Sequence, residues 1–371
     1  SAERATLLKA LAHIQSVAEK RNTIPILANV LMQATNGQLC LKATDMEIEV
    51  IETVPATITR EGATTAPASV LYEIVRKLPD GVEVELDQPD SDGQLNLRAG
   101  RYATHLNVLS VDDFPSMGAG EFPHQFQLNG NVLRSLIDRT RFAISTEETR
   151  YYLNGIYLHV ADIEGQSLLR AVATDGHRLA RVEADMPTGA AGMPGVIIPR
   201  KTVAEVRKLI DEAPENIAVA LSETRIQFTV GPITLTSKLI DGTFPEYERV
   251  IPRNNTRILR VGKKDFSDAV ARVAAISQER SRPVKLMLEP GLLTLSASSA
   301  EQGTAKEELD DNRISYDAEA LEIGFQARYL NDITDQVEKE VEFCFADSAS
   351  PTIVRDVDSP SALYVLMPMR V

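Results

Sequence analysis

The sequence predicts an α+β protein made of three diverged copies of one unit, each with two helices packed on antiparallel sheet. Three observations predict this class. Amphipathic helical patterns open at positions 6, 131 and 264, which are 125 and 133 residues apart. Prolines close the units at Pro115, Pro245 and Pro368, which are 130 and 123 residues apart. The runs between them alternate apolar and polar residues, which is typical of sheets with one buried face.

Each unit opens with a helix. Apolar residues recur at spacings of three and four in Thr6–Arg21, Asn131–Ile144 and Lys264–Ile276, and this spacing places them on one face of a helix. Asn131 and Asp265 are residue types that cap helix N-termini. We therefore expect three equivalent opening helices, with caps at these two positions.

Each unit then continues with strands and a second helix. The second helices are predicted over Ala68–Leu78, Pro199–Ile210 and Gln326–Lys339. The predicted strands are Asn29–Gln33, Gln38–Val50, Val82–Leu86, Leu95–Leu109, Gly155–Val160, Gln166–Val182, Ala218–Leu221, Ile226–Leu239, Val284–Leu288, Leu292–Ala297, Val341–Phe345 and Thr352–Met367. Loop-like stretches between the units suggest three domains, over residues 1–119, 120–252 and 253–371.

Length and composition agree with several domains. A chain of 371 residues with 43% hydrophobic and 25% charged residues can bury more than one core. No apolar run approaches the roughly 18 residues of a membrane span, and we expect no leader peptide. Cys40 and Cys344 lie far apart and outside any metal-ligand spacing. We therefore expect free thiols, a cytoplasmic protein and no metal or cofactor.

The charge is unevenly distributed. The net charge is −14, which by itself disfavours binding to a polyanion. The six helical segments, however, carry 20 basic and 11 acidic residues, so the rest of the chain holds −23. One interpretation is that the helices face phosphates without reading bases. The other is that Lys and Arg serve helix propensity and helix C-termini.

Helix geometry limits how such a layer could surround DNA. Helices pack about 8–10 Å apart, so six in a closed ring leave a hole of only about 8 Å. Twelve leave a hole of about 25 Å, which admits a duplex. If the protein forms a ring around DNA, the ring must be a dimer.

One turn carries residues capable of chemistry. Ala171–Val182 reads as strand, tight turn and strand, with Asp175, Gly176 and His177 at the turn. An Asp, a His and an Arg here could form a proton relay or hold a metal. The same residues also fit a hairpin tip in which Asp175 supports the turn and His177 covers apolar surface. The residues alone leave both interpretations open.

Four motifs carry a family resemblance. They are RYYLNG (Arg150–Gly155), ATDGHRLA (Ala173–Ala180), SKLIDGTFPEY (Ser237–Tyr247) and YVLMPMRV (Tyr364–Val371). They resemble the beta subunit of bacterial DNA polymerase III, the sliding clamp, in register with the three repeats. The resemblance implies a head-to-tail homodimeric ring of six similar domains with helices inside and sheets outside. Such a ring encircles duplex DNA, is opened by a clamp loader and tethers the polymerase, with no catalytic activity.

The resemblance also implies three sets of site residues. A pocket for short linear peptides of the polymerase alpha subunit, the clamp loader, other polymerases and repair proteins is expected at Leu153, Thr174, Gly176, His177, Arg178, Leu179, Pro245, Val250, Val365, Met367, Pro368, Met369 and Arg370. DNA contacts are expected at Lys9, Arg21, Glu147, Arg150, Tyr151 and Tyr152. The basic helices extend this set to Arg76, Lys77, Arg134, Arg200, Lys201, Arg207 and Lys208. The dimer interface is expected to place Thr104 and Leu106 against Ala275 and Ile276, near Glu301, Glu307 and Glu308.

The chain departs from the family pattern at a few of these positions. Ser69 and Val70 begin the second helix where relatives carry two basic residues, which puts DNA contact there in doubt. Relatives place larger apolar residues at Thr104 and Ala275, so we expect a less apolar interface. Within the pocket, the exposed apolar residues would receive Leu or Phe anchors of a peptide, and Arg178 is expected at its rim.

Two other functions compete with the clamp. The first is a hydrolase that uses Asp175 and His177, although the chain has no GxSxG, HExxH or P-loop motif. The second is a repeat scaffold that does not bind DNA.

Overall fold

The fold is described from a computed structural model. It covers residues 1–20, 23–89, 93–212, 215–277 and 282–371, and these ranges contain six α-helices and 25 strands. Contacts divide the chain into two compact units. The first comprises Ser1–Leu133, Pro187–Pro194 and Lys201–Leu239, and the second Arg134–Met186, Gly195–Arg200 and Ile240–Val371. None of the described helices is both long and apolar enough to cross a bilayer.

The first repeat has two helices and eight strands within the described residues. In order, they are β1 (Ala2–Glu3), α1 (Arg4–Gln15), β2 (Asn29–Thr35), β3 (Gln38–Thr44), β4 (Ile48–Pro55), β5 (Gly62–Pro67), α2 (Ala68–Lys77), β6 (Glu83–Asp87), β7 (Gln94–Ala99) and β8 (Tyr102–Asn107). Helix α1 buries Leu7, Leu11 and Ile14, which is the face that its periodicity predicts.

The second repeat follows the same plan. In order, it contains β9 (His124–Leu128), α3 (Gly130–Asp138), β10 (Gly155–Ile163), β11 (Gln166–Thr174), β12 (Arg178–Asp185), β13 (Val196–Pro199), α4 (Arg200–Ile210), β14 (Ile217–Leu221), β15 (Arg225–Val230) and β16 (Ile233–Lys238). Short 3-10 helices occupy Arg141–Ala143, Tyr151–Leu153 and Tyr247–Val250. The last of these belongs to the connection that leads into the third repeat.

The third repeat adds one short strand to the plan. In order, it contains β17 (Arg257–Gly262), α5 (Lys263–Ala274), β18 (Pro283–Glu289), β19 (Leu292–Ser299), β20 (Gly303–Asp310), β21 (Ile314–Ser315), β22 (Leu321–Gln326), α6 (Ala327–Thr334), β23 (Glu340–Phe345), β24 (Thr352–Asp356) and β25 (Ser359–Leu366). Helix α5 buries Phe266, Val270 and Val273, as the periodicity predicts.

Every repeat supplies two antiparallel sheets of four strands, and these sheets join across repeats. In the first unit, β5-β2-β3-β4 continues into β16-β15-β14-β9, because β4 pairs with β16. In the second unit, β13-β10-β11-β12 continues into β25-β24-β23-β17-β21, because β12 pairs with β25. The sheets β1-β6-β7-β8 and β20-β19-β18-β22 remain four-stranded within the described residues. The α+β class is confirmed, while the domain boundaries at residues 119 and 252 stay a prediction.

The sequence-based strand predictions were wrong in two respects. Four long runs are hairpins rather than single strands: Gln38–Val50, Leu95–Leu109, Ile226–Leu239 and Thr352–Met367. Glycine turns break two of them, with φ of 60° at Gly100 and 57° at Gly231. The predicted strands also do not include β1, β5, β9, β13, β17, β20, β21 and β22, most of which are short or polar runs.

Neither predicted N-cap is correct. Asn131 lies inside α3, and its N–H donates to Asn129 Oδ1 at 2.8 Å, so Asn129 is the capping residue. Asp265 lies in the first turn of α5, whose N-cap is Gly262. There its carboxylate still interacts favourably with the helix dipole.

Candidate functional site

The β11–β12 hairpin turns through the residues that raised the question of catalysis. Thr174 Oγ1 donates to the Arg178 carbonyl at 2.7 Å and accepts from the Gly176 N–H at 3.1 Å. Asp175 Oδ1 accepts from the N–H groups of His177 at 2.9 Å and Arg178 at 3.1 Å. Gly176 has φ of 88°, a conformation that favours glycine. Asp175 therefore holds the turn, as the hairpin interpretation requires.

The equivalent turn of the first repeat has the same hydrogen bonds. Thr44 Oγ1 donates to the Ile48 carbonyl at 2.8 Å, and Asp45 Oδ1 accepts from the N–H groups of Glu47 at 2.8 Å and Ile48 at 2.7 Å. Met46 takes the left-handed position with φ of 78°. The Thr-Asp turn therefore forms without a His or an Arg after it. Its geometry is explained by the hydrogen bonds of the turn and does not require a catalytic role.

Arg178, which we expected at the exposed rim of the pocket, is buried instead. Its side chain is only 5% exposed. The guanidinium donates from Nε to Asp175 at 3.2 Å, from Nη1 to Asp332, and from Nη2 to the Phe142 carbonyl at 2.8 Å. It also lies 4.4 Å from the ring centre of Tyr329. Arg178 thus connects the hairpin to α6. The sequence could not indicate the acceptors of its hydrogen bonds, Phe142 and Asp332, because they lie 36 and 154 positions away.

The floor of the expected pocket is one apolar cluster. Leu153, Leu179 and Val365 are buried together in it, with Val172, Ile197, Phe244, Tyr247, Cys344, Ile353 and Leu363. Burial raises the pKa of the Cys344 thiol to about 11, so this thiol stays neutral and acts as an apolar packing group. Three of the predicted pocket residues thus meet in the second unit.

One wall is formed by the residues after β25. The Met367 N–H donates to the His177 carbonyl at 2.9 Å, and the Met369 N–H donates to the Gly324 carbonyl at 2.8 Å. Met367 is exposed and Pro368 is half-buried. The segment therefore presents apolar side chains to solvent beside the hairpin turn, and Arg370 follows as an exposed residue.

The other wall comes from the connection that carries Pro245 and Val250. Both residues are exposed, and Val250 is 52% exposed. The connection is anchored by the buried Arg170, which donates to Tyr247 Oη at 3.1 Å and to the carboxylate of Glu248. The His159 ring lies 2.7 Å from the same Tyr247 hydroxyl. Burial holds the pKa of His159 below its ordinary value and raises that of Tyr247.

The other internal seam, between β4 and β16, carries charged residues at two of these positions. Register places Lys238 at the position of Met367 and Glu49 at that of Leu179. The Lys238 N–H donates to the Glu47 carbonyl at 2.9 Å, as Met367 does to His177. Lys238 is paired with the Glu47 carboxylate at 3.2 Å, and Glu49 is paired with Lys42 at 2.9 Å. The backbone is equivalent, but two positions that are apolar in the second seam are charged in this one.

The expected DNA contacts lie on the helices and on the 3-10 turn at Tyr151 and Tyr152. The helical residues are Lys9 on α1, Arg76 and Lys77 on α2, Arg134 on α3, and Arg200, Lys201, Arg207 and Lys208 on α4. Arg21 lies outside the described residues. Tyr151 is 52% exposed and its ring meets that of Tyr152 edge to face.

Several of these bases already have acidic partners. Lys9 Nζ lies 2.6 Å from Glu212, Lys208 Nζ lies 3.0 Å from Glu205, and Arg76 lies 2.7 Å from Glu73. Arg207 and Lys201 are likewise paired, with Asp211 and Asp45. A phosphate would compete with these carboxylates, so the helices favour weak and salt-sensitive contact.

Arg150 connects the 3-10 turn at Tyr151 and Tyr152 with the hairpin. Its Nε donates to Glu147 at 2.9 Å, and its Nη2 donates to the Asp175 carbonyl at 3.1 Å. A Cβ at Gly176 would lie 2.7 Å from Arg150 Nη1, so this guanidinium covers the turn.

A buried histidine joins α1 to its neighbours in the first unit. His13 Nδ1 lies 2.8 Å from Glu52, and Nε2 lies 3.5 Å from Glu212. Burial by itself would lower the pKa of His13, but the hydrogen bonds and charges of the two carboxylates raise it above its ordinary value. The equivalent pair in the third repeat is Arg272 with Glu307, at 2.6 Å.

The expected interface residues lie on two edge strands and at the end of α5. Thr104 and Leu106 are on β8, and Glu307 is on β20. Ala275 and Ile276 directly follow α5, and a Cβ at Gly303 would lie 3.9 Å from Ile276 Cδ1. Ile276 therefore lies beside the start of β20, near Glu301.

Comparisons with known proteins point to one protein family along the whole chain. Models of the DNA polymerase III beta subunit match residues 1–118 (N-terminal domain), 127–246 (central domain) and 248–370 (C-terminal domain). A beta sliding clamp of Caulobacter vibrioides is 52% identical over 370 residues, which covers 100% of this chain and 99% of the relative. That of Escherichia coli is 38% identical over 372 residues, covering 99% and 98%.

Solved structures of the same family are similar to this chain over its full length. The sliding clamp of Caulobacter crescentus superposes with a TM-score of 0.95 at 52% identity, covering 100% of this chain and 98% of that one. A Bartonella birtlesii sliding clamp bound to griselimycin superposes with a TM-score of 0.96 at 48% identity, with the same coverage. The chain therefore belongs to the DNA polymerase III beta subunit family, the beta sliding clamps.

Proposed function

We propose that two copies of the chain close head to tail into a ring around duplex DNA. The ring gives processivity to the replicative polymerase and receives the clamp loader and other partners as peptides at the pocket. Such a clamp has no reaction of its own. Its place is the cytoplasm, where bacterial DNA is replicated, and the free thiols of Cys40 and Cys344 suit that compartment. The observation that carries the proposal is that two edge strands, β8 and β20, each lack a pairing strand on one side within the described residues.

The repeat identifies these two edges. β4 and β12 are equivalent strands, and each is joined to the last strand of the following repeat, β16 and β25. The third equivalent of β4 and β12 is β20, and the remaining equivalent of β16 and β25 is β8. Both end their sheets in the described residues. Pairing β20 of one copy with β8 of another repeats the internal seam and closes a heterologous ring.

The internal seams also specify a register for this pairing. Val50 faces Leu235 in the first seam, and Ala180 faces Tyr364 in the second. Strand equivalence converts these pairs into Thr104 opposite Ala305 of the second copy. Both side chains are small, in keeping with a less apolar interface than in relatives.

The helical layer supports the same pairing. In the first unit, α1 ends against α4, where Ser16 Oγ donates to Glu205 at 2.6 Å. The equivalent of Ser16 in the third repeat is Ala275, an exposed residue after α5. Helix α2 offers it a cleft of about 480 Å³ in which Val70 and Tyr102 are exposed. Val70, whose presence puts DNA contact at this corner in doubt, thus fits better as part of an apolar interface.

The peptide site rests on the apolar floor and on two relatives. One relative was crystallised with griselimycin, and another with polyethylene glycol at its proposed beta-motif tethering region. The cluster around Leu179 and the exposed Met367 and Val250 would receive apolar anchors. A hydrolase at the same turn is disfavoured, because both oxygens of Asp175 are used by backbone and Arg178 donors.

Solution mass tests the dimer. The monomer has a mass of 40.7 kDa, so the wild type should run at about twice that mass. Ala275→Asp should lower it to the monomer at micromolar concentration, because closing the interface would then desolvate a carboxylate beside the apolar Val70 and Tyr102. Val357→Asp is the matched control, since it changes another exposed apolar residue outside the interface. A wild-type monomer, or a dimeric Ala275→Asp variant, would contradict the proposed pairing.

Topology tests the ring. After loading on a nicked circular duplex, the protein should stay bound through gel filtration in high salt, and it should be lost once the circle is linearised. Retention that survives linearisation would show that the protein binds DNA directly instead of encircling it. Loss from both forms would indicate a scaffold that does not hold DNA.

A further inference from the structure

The exposed wall of the pocket is attached to the protein at two backbone points. One is the hydrogen bond from Met367 N–H to the His177 carbonyl, at 2.9 Å. The other is an isolated antiparallel bridge in which Met369 N–H donates to the Gly324 carbonyl at 2.8 Å. Pro368, between them, has no N–H to donate. The position of this wall therefore depends on the hairpin turn at one end and on the edge strand β22 at the other.

Gly324 allows unusually close approach at the second point. A Cβ at this position would lie 2.3 and 2.6 Å from the two Cγ atoms of Val371 and 2.8 Å from the Met369 carbonyl oxygen. Gly324 is not among the residues with positive φ, so the backbone conformation itself would accept an alanine. What requires glycine here is the space taken by the Met369–Val371 backbone and side chain.

We propose that Gly324 is a positioning residue for the peptide site. It lets the segment Met367–Met369 lie against β22, and so it sets where the apolar side chains of this wall stand relative to the buried floor. The inference rests on the proposed function of this wall in binding peptides. A side chain at position 324 must push the segment outward, and a gap of about 0.5–1 Å already forfeits a quarter to a half of the dispersion energy of each contact.

The test compares glycines on two equivalent edge strands. Gly324→Ala is expected to bind a fluorescent linear peptide with Leu and Phe anchors roughly tenfold more weakly than wild type, or about 1.4 kcal/mol. Gly62→Ala is the matched control, because Gly62 lies on β5, the equivalent of β22, and a Cβ there meets no atom within 4 Å. This control should bind within twofold of wild type. Adding Val371→Ala to Gly324→Ala should recover part of the loss, since it removes the two nearest atoms.

Hydrogen exchange separates positioning from general damage. In Gly324→Ala the Met369 amide should exchange faster, while the Met367 amide and the dimer mass stay as in wild type. Peptide affinity within twofold of wild type, or an unchanged Met369 amide, would overturn the inference while leaving the proposed function intact. A wild-type protein that fails to bind the peptide would overturn the proposed function itself.

Discussion

Arg178→Ala removes the guanidinium that joins the β11–β12 hairpin to α6. Three of its N–H groups donate to Asp175, Asp332 and the Phe142 carbonyl, and the side chain is almost fully buried. Alanine leaves the two carboxylates without their common cation and the carbonyl without its donor. It also removes the cation that lies over the Tyr329 ring. The variant therefore tests whether this buried arginine contributes to the stability of the folded protein.

The structure sets the expected magnitude. Removing one member of a buried ion pair costs about 3–5 kcal/mol, because a charge is left without compensation. Water reaches part of both carboxylates, since the side chains of Asp332 and Asp175 are 29% and 16% exposed. We therefore expect the lower end of that range, a loss of about 3 kcal/mol of unfolding free energy. Peptide affinity should fall as well, because the turn at His177 loses its anchor.

Urea unfolding followed by circular dichroism measures the loss, with a labelled peptide for affinity. Arg178→Lys should be intermediate, because an ammonium cannot reach three acceptors in a fixed fork. Arg313→Ala serves as the control. Its guanidinium lies 3.8 Å from Asp265 on the surface and is 55% exposed, so the loss should stay below about 1 kcal/mol. An Arg178→Ala protein within 1 kcal/mol of wild type would refute the reasoning.

Three further predictions follow from the geometry. Gly176→Ala should lower the free energy of unfolding by about 1–2 kcal/mol because of the left-handed φ, and by more because the new Cβ would contact Arg150. Gly192→Ala is the control, since Gly192 has φ of 75° and open space around a Cβ. Equal losses in the two variants would contradict the contact with Arg150. The pKa of His13 is raised, so its stabilisation is complete below its ordinary pKa of about 6.5 and is lost as pH rises through the folded value. Urea midpoints of wild type and His13→Gln should therefore converge as pH rises above about 6.5, and parallel curves would contradict this. Lys208→Glu should weaken direct DNA binding and lower the salt slope by about one or two; an unchanged slope would place this lysine away from the DNA.

The turn at Asp175 shows how far local sequence can be interpreted. The role of Asp175 stayed open between turn support and chemistry, while the strand–turn–strand form and the glycine were predictable, because a Thr-Asp turn is satisfied by hydrogen bonds within four residues. The role of Arg178 was not, since its acceptors Phe142 and Asp332 are distant in sequence. Gly324 was missed for the same reason. Its need for glycine arises from Val371, which is 47 positions further along the chain.

By itself the sequence determined the repeat, the two helices of each unit, the buried faces of α1 and α5, and the family motifs. These depend on periodicity and turn chemistry, which act over a few residues. The tertiary structure alone decided which edges meet: β4 with β16, β12 with β25, and β8 and β20 left at sheet ends. Strand edges are chemically alike in any sequence, because every strand carries the same backbone donors and acceptors. Only the folded sheets show which strand edges are paired.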